Sequence, residues 1–277
     1  MKIDDSFDAF ICNDQPESLS KKLENYRRYK NSLNKVGHYI NNCADNVRFY
    51  KEFTGVNENT LYRKREDTNS SIVALWMSRV KSAVATFTSV NNVKSFKSID
   101  KEELVEIARL SAEVGSIFTL EKELIKKGII LVLEPSIDGL KLDGCVYINS
   151  NKQAVVAMSL RMNRLDNFWF TLLHELAHLS LHSSQLRNPI FENLEESSNS
   201  LIEQQADKLS LQSFIPRSEW RTCSAKINFK KDDLFDFAHR MHIHPAVVAG
   251  RIRKETNRYD IFSDVVHEHN IKRMFGL

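Results

Sequence analysis

The chain has 277 residues, 42% of them hydrophobic and 27% charged, enough apolar surface for a proper core and too mixed in charge for a disordered polyelectrolyte. Lys+Arg 39 against Asp+Glu 36 leaves only +3, which names no nucleic-acid partner, and Cys12, Cys43, Cys145 and Cys223 form no CxxC pair that would suggest a thiolate zinc site or a disulfide framework. The opening MKIDDSFDAF has acids where a secretory leader needs basic residues, and no apolar run approaches the ~18 residues of a membrane span, so a cytoplasmic protein with no membrane partner is expected.

With 8 Gly and 5 Pro in the whole chain, turn chemistry is scarce, which favours helices with a few short strands. From Ser20 to Lys35, the spacing of Leu23, Tyr26, Tyr29, Leu33 and Val36 predicts a half-buried helix; its basic face reads as solvated, because no clear helix-turn-helix pattern flanks it. Asn57-Glu58-Asn59 and Arg65 to Ser71 are polar punctuation. They divide a helical region over 1–70, able to bind a partner, from a second unit over 71–277. Ile72 to Phe87 and Lys101 to Val114 read as the next helices, and Leu120 to Lys127 as another that Gly128 closes. Ile129 to Leu133 suits a buried strand. Cys145 to Ile148 and Ala154 to Leu160 flank the turn formers Asn149-Ser150-Asn151-Lys152 and predict an antiparallel hairpin beside it. Asp166 is placed to cap a helix through Phe168 to His182, and a further helix spans about Ser200 to Phe214 before Pro216. The fold class expected is α+β and mainly helical, with a small antiparallel sheet, an active-site helix pair and a C-terminal helical tail.

Within the first of these two helices lies His174-Glu175-Leu176-Ala177-His178, an H-E-x-x-H. At 3.6 residues per turn His174 and His178 share a face and can bind one ion at ~2.0–2.1 Å, while Glu175 flanks the place of a bound water and can take its proton. A third ligand is needed. A metzincin would have Gly at position 181 and His at 184, but the chain has Leu181 and Ser184. On the second helix Glu203-Gln204-Gln205-Ala206-Asp207 puts two acids four apart, the gluzincin spacing: Glu203 can complete the site, and Asp207 can accept a hydrogen bond from a ligand imidazole. His182, one turn beyond His178, suits packing or outer support, since three successive turns of a straight helix cannot wrap a tetrahedral ion. His239, His242, His244, Tyr147 and Arg161 are candidates for steadying an oxyanion, and the sequence does not choose among them.

The stretches RLDNFWFTLLHELAHLSLH and EQQADKLSLQSFIP resemble the ImmA/IrrE family of zinc metallopeptidases, and the region from ALWMSRV through LDGCVYI to IHPAVVAGRIRKE resembles the peptidase part of HigA-like proteins, over roughly the last 200 residues. The resemblance implies one Zn2+ on His174, His178 and Glu203 with Glu175 as general base, in a zincin-like fold. It also implies a substrate: a helix-turn-helix repressor, often encoded alongside, whose cleavage releases genes for stress response, mobile elements or phage defence. HigA-like fusions begin with an Xre-type helix-turn-helix that residues 1–70 do not show, so the repressor is expected to be a separate protein. The alternative is an antitoxin-type or DNA-binding regulator, with a toxin as partner, that keeps the peptidase fold as a scaffold. Its basis is Asp232 to Lys254, which can form two helices around a short turn with Arg251, Arg253 and Lys254 at the end.

Overall fold

Side-chain alternation along three short strands decides how the layers stack. In the computed structural model, which describes residues 19–54, 68–186, 190–192 and 201–277, these strands are Ile129–Leu133 (β1), Gly144–Ile148 (β2) and Ala154–Met158 (β3). Ile129, Val146, Ala154, Val156 and Met158 point into one apolar cluster, and Ile130, Val132, Cys145, Tyr147, Val155 and Ala157 into another. A sheet with two buried faces needs a layer on each side.

On the second face lies a long helix. Leu19–Val36 (α1) and Cys43–Thr54 (α2) pack on Thr68–Val90 (α3), whose Leu75, Trp76, Met77 and Val80 are fully or almost fully buried against the sheet. The Trp76 indole N–H donates to the Glu134 carbonyl at 2.9 Å, tying α3 to the end of β1. Lys81 reaches Glu52 at 2.6 Å and ties α3 to α2. The helix expected from Ile72 therefore starts at Thr68, and α2 was not foreseen. Of the polar punctuation, Asn57-Glu58-Asn59 and 65–67 lie outside the described residues.

Lys101–Arg109 (α4) begins with a reciprocal cap, Asp100 accepting from the Glu103 N–H at 2.8 Å and Glu103 from the Asp100 N–H at 2.9 Å. The expected run to Val114 stops at Arg109 and tightens into two 3-10 turns, where the Ser111 hydroxyl turns back to the Ala108 carbonyl at 2.6 Å. Leu120–Lys126 (α5) leads to Gly128 at φ 76°; a side chain there would meet the backbone of Lys94 to Phe96 within 2.8 Å.

The β2–β3 hairpin is antiparallel as expected, its turn held by Asn149 Oδ1 accepting from the N–H groups of Asn151 and Gln153 at 3.0 and 2.9 Å. β1 instead runs parallel to β3, with Ile129 opposite Ala154, so the sheet is mixed rather than wholly antiparallel. The cause is topological. Residues 134–143 carry the chain past the neighbouring position, and the hairpin returns β3 into the gap. A short fourth strand, Ile190–Glu192 (β4), pairs antiparallel with β2 and gives the order β1-β3-β2-β4.

Leu165–His182 (α6) covers the first face of the sheet, followed by Leu201–Phe214 (α7), Arg217–Arg221 (α8), Ala225–Asn228 (α9), Lys231–Met241 (α10), Pro245–Thr256 (α11), Ser263–His267 (α12) and Ile271–Met274 (α13). The expected cap at Asp166 is not found: the helix starts one residue before it, at Leu165, and Asp166 is a buried first-turn residue bound to Arg164 at 3.0 and 3.2 Å. Its carboxylate fills the space a side chain on Gly250 of α11 would need, so these two helices meet closely. The Cβ of Gly250→Ala would come within 2.9 Å of the Asp166 Cβ, and Arg164 holds the carboxylate in place. We expect that substitution to cost about 1–3 kcal/mol, read as a fall of several degrees in the thermal midpoint. An unchanged midpoint would show that α11 moves freely over α6. Among the described residues no helix is long and apolar enough to cross a membrane.

Candidate metal centre

Apolar residues surround α6 so completely that its polar side chains are carried into the core: His174, Glu175, His178 and His182 are 3%, 0%, 0% and 5% exposed. Helices α6 and α7 pack against each other, and α7 brings Glu203 to the imidazoles. His174 Nε2 lies 3.0 Å from His178 Nε2 and 3.0 Å from Glu203 Oε2, and the third side of the triangle, His178 Nε2 to Glu203 Oε2, is 3.4 Å. Three ligands of one tetrahedral ion at ~2.0–2.1 Å stand about 3.3 Å apart. The donor set therefore fits a small divalent cation in both spacing and chemistry, two imidazoles and a carboxylate.

Charge follows the same pattern. Burial pushes the His178 imidazole below its ordinary pKa and keeps it neutral, as a ligand must be. For Glu203 burial alone would raise the carboxyl, but the imidazoles of His174 and His178 beside it outweigh burial and bring it down to about 2. The site offers one fixed negative charge and two lone pairs.

Asp207 stands one turn after Glu203 and accepts from His174 Nδ1 at 2.9 Å, which leaves His174 Nε2 bare. Burial works against its ionisation, but the His174 contact, with help from Lys254 on α11, holds its carboxyl below the usual value. We expect Asp207→Ala to weaken metal affinity by ~10–100-fold without abolishing it, measured by competition with a chromophoric chelator. Full loss would make Asp207 a ligand; no change would make it a solvated surface acid.

Glu175, about 100° further round α6 than His174, faces the sheet. A Cβ on Gly144 of β2 would sit 2.5 Å from Glu175 Oε1 and 2.8 Å from Thr171 Cγ2, so the strand admits this carboxylate because it has no side chain at that point. The backbone of Gly144 is ordinary strand. Close approach is what it supplies. Sequence reasoning missed this residue, although a glycine opening a strand is the known signal for such an approach.

His182 is outside the triangle: its Nδ1 lies 3.2 Å from His178 Nδ1 and its Nε2 3.0 Å from Gln205 Oε1. Gln205 was also missed, though it sits between Glu203 and Asp207 in the same motif. Tyr147 points to the α3 face of the sheet, the opposite side from α6. Arg161 pairs with the buried Asp143 at 3.0 Å. His239 and His242 lie near each other, and His244 caps α11 by accepting from the Ala246 N–H at 3.1 Å while its ring stands 5.4 Å from that of His269. The geometry brings together His174, His178, Glu203 and Asp207, while Glu175, next to His174 on α6, lies against Gly144 of β2.

Residues 129–253, from β1 into α11, match the family model described as the IrrE N-terminal-like domain, peptidase family M78. Over these residues the chain is similar to the peptidase domain of the ImmA/IrrE family. That domain belongs to a metallopeptidase family, and its α+β architecture, a small sheet with α6 and α7 on one face, is the zincin-like arrangement expected. A comparison with curated proteins finds no match.

The tail helices α10 and α11 fall within the matched residues or directly beside α6. Arg251 stacks on Trp220 at 4.1 Å and pairs with Glu255 at 2.8 Å, and Arg253 is 4% exposed and donates to the Tyr259 carbonyl. Two of the three basic residues that suggested a DNA-reading helix are thus spent inside the peptidase domain.

Proposed function

We propose that the protein is a zinc-dependent endopeptidase that cleaves a cognate helix-turn-helix repressor and so derepresses stress, mobile-element or phage-defence genes. The observation that carries it is the triangle of His174, His178 and Glu203, with Glu175 next to His174 in the chain and buried against Gly144. Zinc on these ligands would polarise the scissile carbonyl and acidify a water. Glu175 accepts the proton of the attacking water and returns it to the leaving amine, so one carboxylate serves as base and then acid. Asp207 fixes His174 in the tautomer with a bare Nε2. Residues 71–277 form the peptidase unit in this reading, and α1 and α2, behind α3, are free to meet a partner. The repressor as substrate rests on the family resemblance.

The test is to mix the purified protein with any helix-turn-helix protein encoded beside it. A discrete cut is expected, blocked by 1,10-phenanthroline and restored by added zinc. An intact repressor in a stable complex would instead favour the second reading, a scaffold that grips its partner without cutting. Spent arginines in the tail weigh against DNA binding by that segment.

A further inference from the structure

We propose, on the metal reading above, that His182 and Gln205 form a relay that fixes the tautomer of His178 and so holds its Nε2 lone pair ready for the ion. His182 is then a positioning residue, acting through His178.

Each neutral imidazole carries one N–H and one bare nitrogen. His178 Nδ1 and His182 Nδ1 face each other at 3.2 Å, so a single hydrogen lies between them. His182 Nε2 faces Gln205 Oε1 at 3.0 Å, and a carbonyl oxygen only accepts. His182 therefore donates from Nε2, its Nδ1 is bare, and His178 must supply the shared hydrogen from its own Nδ1. That leaves His178 Nε2 bare and directed at His174 Nε2 and Glu203.

The relay matters because a competing tautomer is close at hand. With its hydrogen on Nε2, His178 could donate to His174 Nε2 at 3.0 Å, and an incoming cation would have to drive that hydrogen out. His182 and Gln205 weight the balance against it. Helix α7 thereby serves the site three times: Glu203 as ligand, Asp207 behind His174, and Gln205, through His182, behind His178. The buried His182 has no other evident reason to be polar in an apolar helix.

The test reads metal affinity rather than cleavage, by titrating Co2+ or Zn2+ against a chromophoric chelator. Gln205 is exposed, so Gln205→Leu should fold as the parent does and bind about tenfold more weakly. Gln205→Glu keeps an acceptor and should bind at least as tightly as the parent. His182→Leu fills the space without an acceptor and should lose ~10–100-fold, while His182→Gln, whose amide oxygen can still accept from His178, should recover part of the loss. Thermal melts of the metal-free variants confirm folding. In the zinc-loaded parent, NMR should show a protected His178 Nδ1 hydrogen that disappears in His182→Leu. Affinity unchanged in both leucine variants, or His182→Gln no better than His182→Leu, would overturn the relay while leaving the metal site standing. A parent protein that binds neither ion would overturn the metal reading and the relay together.

Discussion

Glu175→Gln is expected to keep its metal and to lose at least ~100-fold in repressor cleavage, the scale of a missing general base. The substitution is nearly isosteric, which matters here because the side chain is fully buried and packed against Gly144 and Thr171. A glutamine fits the same space, so the fold and the His174–His178–Glu203 triangle should persist. On the proposed mechanism, what is lost is the basic oxygen that would take the proton of the attacking water and give it up to the leaving amine. Metal content by elemental analysis and cleavage rate under single-turnover conditions, measured on the same preparation, separate the two effects. Equal rates in variant and parent would remove Glu175 from the chemistry. Parallel loss of metal and rate would make it a support of the site instead.

The second large effect is on metal binding itself. His178→Ala removes one corner of the triangle and leaves His174 and Glu203, two donors where a tight site needs three. The measurement is the zinc-dependent rise in thermal stability. At zinc near a thousand times the dissociation constant, mass action stabilises the native state by about 4 kcal/mol, on the order of 10 °C for a protein of this size. The parent should show that rise and His178→Ala should not. Because the alanine also empties a fully buried ring site, its metal-free midpoint will fall by itself. The comparison that counts is therefore each protein with and without zinc. A full zinc-dependent rise in His178→Ala would show that the ion sits elsewhere.

Most of what positions the centre was legible in the sequence because it is written in local periodicity. The apolar run around H-E-x-x-H gave α6, the β-branched run Ile129 to Leu133 gave β1 with its observed bounds, and the Asn-Ser-Asn-Lys turn gave the hairpin. The features that escaped depend on contacts between distant segments. Nothing within β1 or β3 encodes that they run parallel; this follows from where the chain crosses between them. β4 is three residues long and too short to carry an alternation. Asp166 has the chemistry of a helix cap, and only its burial under Gly250 with Arg164 beside it shows a different use. Gln205 looked like filler between two acids because its partner, His182, lies 23 residues away.

Two glycines with ordinary backbone geometry have a shared consequence for α6. Gly250 of α11 receives the carboxylate of Asp166, and Gly144 of β2 receives that of Glu175, so the helix is keyed into its surroundings at two notches roughly 14 Å apart along its axis. A single notch would allow the helix to rock about it. A pair forbids both rotation and sliding, since a shift by one turn, about 5.4 Å, would withdraw both carboxylates and drive bulkier neighbours into strand and helix backbone. The depth at which His174 and His178 sit is in this sense gauged from outside the centre, by the absence of two side chains on elements that contribute no ligand.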